Sequence, residues 1–268
     1  MMENAANSPL DIAKIKHVLE LNGFTEDRLA VVYLDTVDST NTEAKRRTKS
    51  ATGSVLYLAE EQTGGRGRLG KSFVCPRSAG IYASLFCRPE MGAEDGLILT
   101  AAAAVAVRRA IASLADISPW IKWVNDIYVD KKKAVGILTE GAVDHESGML
   151  EYAVIGIGIN THPADRGEVN EIATDLETEA GIPICREELL AGVITELLKL
   201  IAHPDRAAIA EEYVRGADMR GRRVTVTRAG RTEGATALGV NSDLSLSVEF
   251  EDGHKESLIS GDVSLKLD

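Results

Sequence analysis

The spacing of apolar residues along the chain predicts five helices. In four segments apolar side chains recur every three or four residues, and in the fifth a serine, threonine and asparagine cluster offers helix caps. The predicted helices are Asp11–Leu21, Thr42–Thr48, Glu94–Leu114, Glu187–Ile201 and Ala207–Val214. The first stands alone ahead of the first predicted strand. Because a helix-turn-helix module needs about three helices, no module for sequence-specific DNA binding is expected there.

Short apolar runs between turn residues predict the strands of a buried sheet. They are Leu29–Leu34, Val55–Ala59, Ile81–Cys87, Ile121–Val129, Ala134–Glu140 and Tyr152–Ile159. The fourth and fifth runs read as a hairpin that turns at Asp130–Lys132. Strands interleaved with helices in this way predict an α+β domain.

The C-terminal fifty residues follow a different pattern. Four β-prone runs alternate with turn residues there: Arg223–Thr227, Ala235–Val240, Ser245–Phe250 and Lys255–Ile259. Such a series predicts a small closed β-barrel. We therefore expect an N-terminal helical extension (1–28) with a frayed start at Met1–Ser8, a main α+β domain (29–218) and a small β domain (219–268).

Composition and charge narrow the class of protein. Of the 268 residues, 44% are hydrophobic and 26% are charged, as in ordinary globular proteins, and the net charge of −11 argues against a general nucleic-acid binder. Cys75, Cys87 and Cys185 lack metal-ligand spacing and predict reduced thiols. No apolar run approaches the ~20 residues of a membrane helix, and no signal peptide opens the chain. We expect a cytoplasmic protein without a membrane partner.

The loop Gly64–Lys71 combines four glycines with three cations in eight residues. Glycine lets a backbone approach a ligand closely, and the interleaved cations indicate an anion such as phosphate. The alternative is a flexible hairpin tip with solvated arginines.

Residues Gly65–Ser72 of this loop also match the pattern G-x-x-x-x-G-K-[ST] of nucleotide triphosphatases. That motif works only where a helix begins directly after it, so that amide groups converge on the phosphates. Pro76 and the Ser-Ala-Gly that follows it break any such helix. We therefore do not expect a triphosphatase loop.

Two further segments carry candidate chemistry. Lys122 lies among apolar residues, where an ammonium group is costly unless it meets an anion; the alternative is a lysine that extends its head group into water. In Gly156–Asn160 glycines alternate along a strand, so a flat ligand could lie against the backbone beside the amide of Asn160.

Five motifs, taken in order, resemble those of the biotin protein ligase family. The family pattern is Ser-Thr-Asn, a Gly-Arg-Gly-Arg loop, Lys-Trp-Pro-Asn-Asp, Gly-Ile-Leu and Gly-Ile-Asn. Here the motifs are Ser39–Asn41, Gly65–Arg68, Lys122–Asp126, Gly136–Leu138 and Gly158–Asn160. The resemblance spans Leu34 to Asn160 and weakens towards the C-terminus. It implies a class II synthetase-like α+β fold, with a mixed, largely antiparallel sheet flanked by helices and a small C-terminal SH3-like β-barrel.

The resemblance implies an ATP-dependent ligase. It would form biotinyl-5′-AMP from biotin and ATP and then transfer biotin to a lysine of biotin carboxyl carrier protein. ATP and Mg²⁺ would be its cofactors, DNA would not be a partner, and a homodimer is left open. A lipoate-type ligase and a non-catalytic sensor of biotin or nucleotide are the alternatives.

The resemblance also implies roles for individual residues. The biotin pocket would comprise Ser39, Thr40, Asn41, Gln62, Arg66, Gly67, Arg68 and Lys122. The nucleotide site would comprise Arg66, Trp123, Asn125, Lys133 and Asn160. Lys122 and Arg68 would be catalytic, with Lys122 bridging the biotin carboxylate and the α-phosphate. Lys266 lies near a basic contact to the nucleotide in the family, and no protein ligand for a metal is implied.

The chain departs from the family pattern at three points. Val124 replaces a proline, and Leu69 and Lys71 replace arginines that are common in the loop. The N-terminus shows no winged-helix domain of the kind that repressor-type members carry. We therefore expect a ligase without repressor activity.

Overall fold

The structure is a computed structural model that describes residues 8–47, 53–228, 230–259 and 261–265. Three parts of the sequence predictions lie outside these residues: the start of the chain before Ser8, Thr48 at the end of a predicted helix, and Lys266.

Seven strands form one mixed sheet. Its first two strands are parallel to each other, and all other neighbours are antiparallel. In chain order the strands are β1 (Leu29–Val37), β2 (Ser54–Gln62), β3 (Gly80–Cys87), β4 (Trp120–Lys122), β5 (Asp126–Val129), β6 (Lys132–Val143) and β7 (Leu150–Asn160). Across the sheet the order is β1-β2-β3-β7-β6-β5-β4. This order brings the ends of β4, β5 and β6 together beside β7.

Helices cover both faces of this sheet. They are α1 (Ile12–Leu21), α2 (Thr40–Arg46), α3 (Gly96–Leu114), α4 (Leu176–Ala180), α5 (Arg186–Ala202) and α6 (Arg206–Gly216). The helices α5 and α6 pack against α3, which contacts β6 and β7, whereas α2 contacts β2, β3 and β7. The segment Ala93–Leu114 is apolar and long enough to span a membrane, but its residues from Leu99 to Val107 are buried in the core.

A second, five-stranded antiparallel sheet follows. Its strands are β8 (Arg223–Arg228), β9 (Arg231–Val240), β10 (Leu246–Phe250), β11 (Lys255–Leu258) and β12 (Asp262–Leu265), in the order β11-β10-β9-β8-β12. The apolar side chains of this sheet belong to the same buried cluster as those of the seven-stranded sheet. The proposed boundaries at 28/29 and 218/219 stay predictions.

The predicted elements differ from the structure in a few places. The run Ile121–Val129 is not one strand, because Trp123–Asn125 form a turn that separates β4 from β5. Ser39 occupies the N-cap of α2, but its side chain makes no capping hydrogen bond, so capping does not explain its presence. The glycine-rich loop contains one 3₁₀ turn, Arg68–Gly70, and the backbone is extended at Lys71, with no helix between Lys71 and β3. The exclusion of a triphosphatase loop is therefore confirmed.

A buried ion pair fastens the N-terminal segment to the sheet. Glu60 on β2 and Arg186 at the start of α5 are both buried, with Nη1 and Oε2 3.1 Å apart. The Glu60 carboxylate also accepts hydrogen bonds from Ser78 Oγ and from the backbone amide of Leu10. Arg186 Nη2 in turn donates to the carbonyl of Ser8. Each charge is paired and hydrogen-bonded, as burial requires.

We expect Arg186→Ala to destabilise the protein strongly, because it leaves the Glu60 carboxylate buried and unpaired. Loss of one partner of a buried pair costs about 3–5 kcal/mol of the free energy of unfolding, measured by urea denaturation. Arg215→Ala is the matched control, since Arg215 and Glu211 form an exposed pair on α6. It should cost less than about 1 kcal/mol. An equal loss of unfolding free energy in both variants would show that the buried Glu60 carboxylate does not depend on its pairing with Arg186.

Candidate active site

A cavity of about 740 Å³ lies over the sheet. One wall is the loop from Arg66 to Val74, a second is the face of β3, β6 and β7, and a third is β12 of the C-terminal sheet. Along β6, Gly136 and Leu138 line this cavity, whereas Thr139 hydrogen-bonds Thr100 of α3. The cavity and α3 therefore lie on opposite faces of the sheet.

The polar end of the cavity is built from α2 and β2. Ser39–Asn41 at the start of α2 are buried and line the cavity together with Gln62 at the end of β2. Gln62 Oε1 accepts a hydrogen bond from the Thr40 backbone amide at 2.8 Å. Asn41 Nδ2 donates to Leu138 O and to Glu140, so the protein itself engages this amide. The structure thus brings together four of the residues proposed for the biotin pocket.

The glycine-rich loop folds as a tight flap over the cavity. Its tip turns at Leu69 and Gly70, whose φ angles are 55° and 77°, and the Gly67 amide donates to Lys71 O at 2.7 Å. A Cβ at Gly65 would lie only 2.3 Å from Phe73 O, so a side chain does not fit there. Arg66, Gly67 and Arg68 line the cavity, but Arg66 and the tip at Leu69 and Gly70 are exposed, so the loop has one side towards the cavity and a solvated tip.

Two cations of the flap contact other elements around the cavity. Arg68 Nη1 lies 3.4 Å from Asn125 Oδ1 in the turn between β4 and β5. Lys71 Nζ lies 2.5 Å from Asp262 Oδ2 on β12. Through these contacts the flap reaches both the main sheet and the C-terminal sheet.

Asp126 lies between two lysines of the cavity. Its carboxylate is 3.4 Å from Lys122 Nζ and 2.7 Å from Lys133 Nζ. The Lys122 side chain is only 10% exposed, which excludes a head group in open water, and Lys133 is 29% exposed. Burial lowers the pKa of Lys122, and the Asp126 charge partly offsets this effect. Burial alone would raise the pKa of Asp126, but the two ammonium groups outweigh it and lower that pKa.

Trp123 is committed to the C-terminal sheet. Its indole is 1% exposed, and Nε1 donates to Leu244 O at 2.8 Å. Tyr213 of α6 donates its hydroxyl to Val124 O at 2.9 Å, and the peptide between Trp123 and Val124 is cis. Trp123 still lines the cavity, but its polar atom faces the protein rather than a ligand.

The strand glycines form a floor on which protein side chains rest closely. A Cβ built at Gly136 or Gly158 would lie 3.0 or 2.6 Å from the ring of Phe73. Lys133 Nζ lies 5.7 Å from the centroid of the same ring, within range of a cation–π contact. The close approach predicted for the glycine-rich strand is thus made by Phe73, which the sequence analysis did not single out. An aromatic residue directly after a glycine-rich loop is the signal that could have found it.

Two buried polar groups of the cavity have atoms without a protein partner. Asn160 Nδ2 donates to Thr174 O, but Oδ1 has no hydrogen-bond partner. Arg166 donates from Nη2 to His162 O, but Nε has none. Sequence reasoning found Asn160 and missed Arg166. Buried polar atoms are almost always paired, so a ligand or water is expected to satisfy both.

The remaining titratable groups of interest are the thiols. Burial raises the pKa of Cys75 and of Cys87 to about 12, which keeps both protonated and unreactive. Across the described ranges there is no group of three or more His, Cys, Asp or Glu side chains that could hold a metal ion.

Comparisons with known proteins identify the family of the chain. The Biotin/lipoate A/B protein ligase family model matches residues 33–160. The bifunctional ligase/repressor BirA of Bacillus subtilis is 34% identical over 251 residues, which cover 88% of this chain and 74% of that protein. A biotin–[acetyl-CoA-carboxylase] ligase of Mycobacterium tuberculosis is 29% identical over 79% of each chain.

A solved structure shares the fold. The biotin protein ligase from Aquifex aeolicus in complex with biotin and ATP superposes with a TM-score of 0.71, at 24% identity, over 89% of this chain and 99% of that chain. The family model and the sequence relatives define a ligase of the class that attaches biotin or lipoate to proteins. Within that class, the chain belongs to the biotin protein ligase family. The predicted fold class is thereby confirmed, and the roles of individual residues stay predictions.

We expect Asp126→Asn to lower the pKa of Lys122 further, because the substitution keeps the side-chain shape and removes the charge that offsets burial. Lys122 would then lose its proton at a lower pH than in the wild type. Competitive acetylation with acetic anhydride followed by mass spectrometry measures the pKa of each lysine. Exposed Lys131 serves as the internal control. An unchanged pKa of Lys122 in the Asp126→Asn variant would show that the Asp126 carboxylate does not raise that pKa.

Proposed function

We propose that this chain is an ATP-dependent biotin–protein ligase, which forms biotinyl-5′-AMP and then biotinylates a lysine of biotin carboxyl carrier protein in the cytoplasm. The observation that carries the proposal is that Lys122, Lys133 and Arg68 line one cavity together with the buried polar residues of α2 and with Asn160. A carboxylate and a phosphate meeting there would both face cations. The closest alternatives are lipoate attachment and a sensor without turnover.

The first step joins two anions that repel each other. A biotin carboxylate oxygen attacks the α-phosphorus of ATP, a new carbon–oxygen–phosphorus link forms, and the bond to the β-phosphate bridging oxygen breaks to release pyrophosphate. Fixed cations that neutralise both reactants and follow the charge onto pyrophosphate are the main contribution a protein can make. We assign this task to Lys122 and Arg68. Lys133, which is more exposed than Lys122, would also contact the phosphates.

We assign roles to the other site residues from the family resemblance and from their places in the cavity lining. Ser39, Thr40, Asn41 and Gln62 would enclose the biotin ring system, and Arg66 and Gly67 would close over it. Asn125 and Asn160 would border the nucleotide, with Trp123 supporting that wall.

Mg²⁺ would bind mainly through the phosphates of ATP, which it commonly does with few protein ligands. Asp126 is the nearest carboxylate to the two lysines, and they already pair with it. When bound, the ion would add positive charge to the triphosphate.

The second step transfers the biotinyl group. The neutral amine of an acceptor lysine attacks the carbonyl of the mixed anhydride, an amide bond forms as the amine loses one proton to water, and AMP leaves with the electrons of the broken carbon–oxygen bond. Because a free lysine has a pKa of about 10.4, the cationic surroundings would favour the neutral amine. The closed flap would shield the anhydride from water. A homodimer is compatible with this scheme and is not required by it.

Incubation with biotin, ATP, Mg²⁺ and a biotin-acceptor domain should label the acceptor, detected with labelled avidin. A parallel reaction with lipoate should give little product, because the polar end of the cavity presents hydrogen-bonding groups that a dithiolane ring does not use. No label beside an active control enzyme would reject the ligase. Stronger labelling with lipoate would favour the lipoate-type alternative.

Lys122→Ala should reduce pyrophosphate release by about 10²–10³-fold while circular dichroism shows an intact fold, because it removes a fixed cation from the reacting groups. Lys133→Ala should also lower the rate. Lys132→Ala is the control, since Lys132 is an exposed lysine beside Lys133 on β6. Unaltered pyrophosphate release in Lys122→Ala would refute its role and favour the sensor alternative.

A further inference from the structure

A chain of short hydrogen bonds supports the polar end of the cavity and runs from β6 to α2. Lys45 Nζ lies 2.6 Å from Glu140 Oε1, and Asn41 Nδ2 lies 2.8 Å from Glu140 Oε2. Asn41 Oδ1 lies 2.6 Å from Ser84 Oγ, which is 2.7 Å from Thr40 Oγ1. Ser84 is 0% exposed, so solvent cannot correct a wrongly directed bond there.

The partners of Asn41 fix the orientation of its amide. Nδ2 faces the Leu138 carbonyl and the Glu140 carboxylate, and both groups only accept hydrogen bonds. Partial burial raises the pKa of Glu140, but hydrogen bonds from Lys45 and Asn41 outweigh burial and lower that pKa, so the carboxylate is ionised at neutral pH. Asn41 Oδ1 must therefore face Ser84, as an acceptor.

Two hydroxyl protons have to serve three contacts between oxygen atoms. The contacts are Asn41–Ser84 at 2.6 Å, Ser84–Thr40 at 2.7 Å and Thr40–Gln62 at 3.1 Å. Ser84 Oγ is a possible donor to both neighbours, but it carries one proton, and Asn41 Oδ1 can only accept it. The Thr40 proton then has two acceptors in reach, and we assign it to Ser84 Oγ because that contact is 2.7 Å, against 3.1 Å to Gln62 Oε1. The longest contact, to Gln62 Oε1, is left without a proton.

This count leaves the Thr40 hydroxyl oxygen with acceptor capacity alone. Thr40 lines the cavity and is 3% exposed, so a ligand there meets an acceptor that has no other donor close by. A buried acceptor that stays unpaired costs free energy. A ligand with an N–H group at this position therefore binds better than one without it.

We propose that Ser84 is a positioning residue that sets ligand specificity through Thr40, an inference that rests on the proposed function. The relay Glu140–Asn41–Ser84–Thr40 holds the Thr40 oxygen as an acceptor. It thereby selects a cyclic urea, which donates N–H groups, over a dithiolane ring or a cyclic carbamate oxygen, which cannot.

Ser84→Ala tests the relay, because it releases the Thr40 proton and lets that hydroxyl act as a donor. The probes are biotin and two analogues that each carry a ring oxygen in place of one urea N–H, with Kd measured by calorimetry in the absence of ATP. We expect the wild type to disfavour one analogue by about 10-fold, the effect of one unpaired buried group. In Ser84→Ala the preference should shrink to less than about 2-fold through tighter binding of that analogue, because the freed Thr40 proton can donate to its ring oxygen while the Thr40 oxygen still accepts from biotin.

Ser113→Ala is the matched control, since it removes a hydroxyl that bonds Ala110 O on α3 and does not line the cavity. It should keep the wild-type preference. If Ser84→Ala does not fold, Thr40→Val removes the acceptor itself and should abolish the preference by weakening biotin binding. Equal weakening of all three ligands, or an unchanged preference, would overturn the relay. A folded wild type that binds no biotin would instead reject the proposed function.

Discussion

The electrostatics of the cavity depend on the carboxylate of Asp126. Two lysine ammonium groups are held close together beside it, and without an anion between them they would repel each other and lose water at a cost of several kcal/mol. Strand order produces the arrangement, since β5 lies between β4 and β6 and Asp126 lies directly opposite Lys122 in the sheet. The carboxylate opposes the lowering of the Lys122 pKa that burial causes. An anionic ligand therefore meets a cationic site that is already assembled.

The turn Trp123–Asn125, which directly follows Lys122, joins the two sheets. Trp123 donates to the carbonyl of Leu244, Val124 accepts from Tyr213, and Asn125 meets Arg68 of the flap. These hydrogen bonds hold the backbone that directly follows Lys122. The C-terminal sheet is therefore part of the site and not a separate attachment, which agrees with the continuous apolar core and with the wall that β12 contributes.

The polar end of the cavity shows how buried hydroxyl groups acquire a direction. A serine or threonine can donate or accept, so a row of hydroxyls has no preferred sense by itself. The ionised Glu140 and the Leu138 carbonyl remove that freedom, because both accept only, and the orientation of Asn41 then passes along Ser84 to Thr40. Ligand recognition at the Thr40 oxygen thus depends on the charge of Glu140 on β6.

Local sequence patterns were sufficient for much of this protein. Apolar spacing located most helices and strands, and Pro76 ruled out a helix after the glycine-rich loop. Five ordered motifs indicated the family, and that resemblance identified Ser39–Asn41, Gln62 and Lys122 as candidate site residues. These features depend on nearest neighbours along the chain, on turn residues and on the cost of burying a charge, all of which the sequence states directly. The break between β4 and β5 was missed, because an apolar run does not reveal a turn within it.

Tertiary structure decided the partners. Ser84 and Asn41 are 43 residues apart in the chain, Trp123 and Leu244 are 121 apart, and only strand order and register bring each pair together. The same holds for Phe73 on the glycine floor and for Asp126 between two lysines. Sequence alone therefore determined which elements and residue types are present and the family to which they point. The direction of each hydrogen bond and the sharing of each charge arise from side chains that are distant in the chain and meet in the fold.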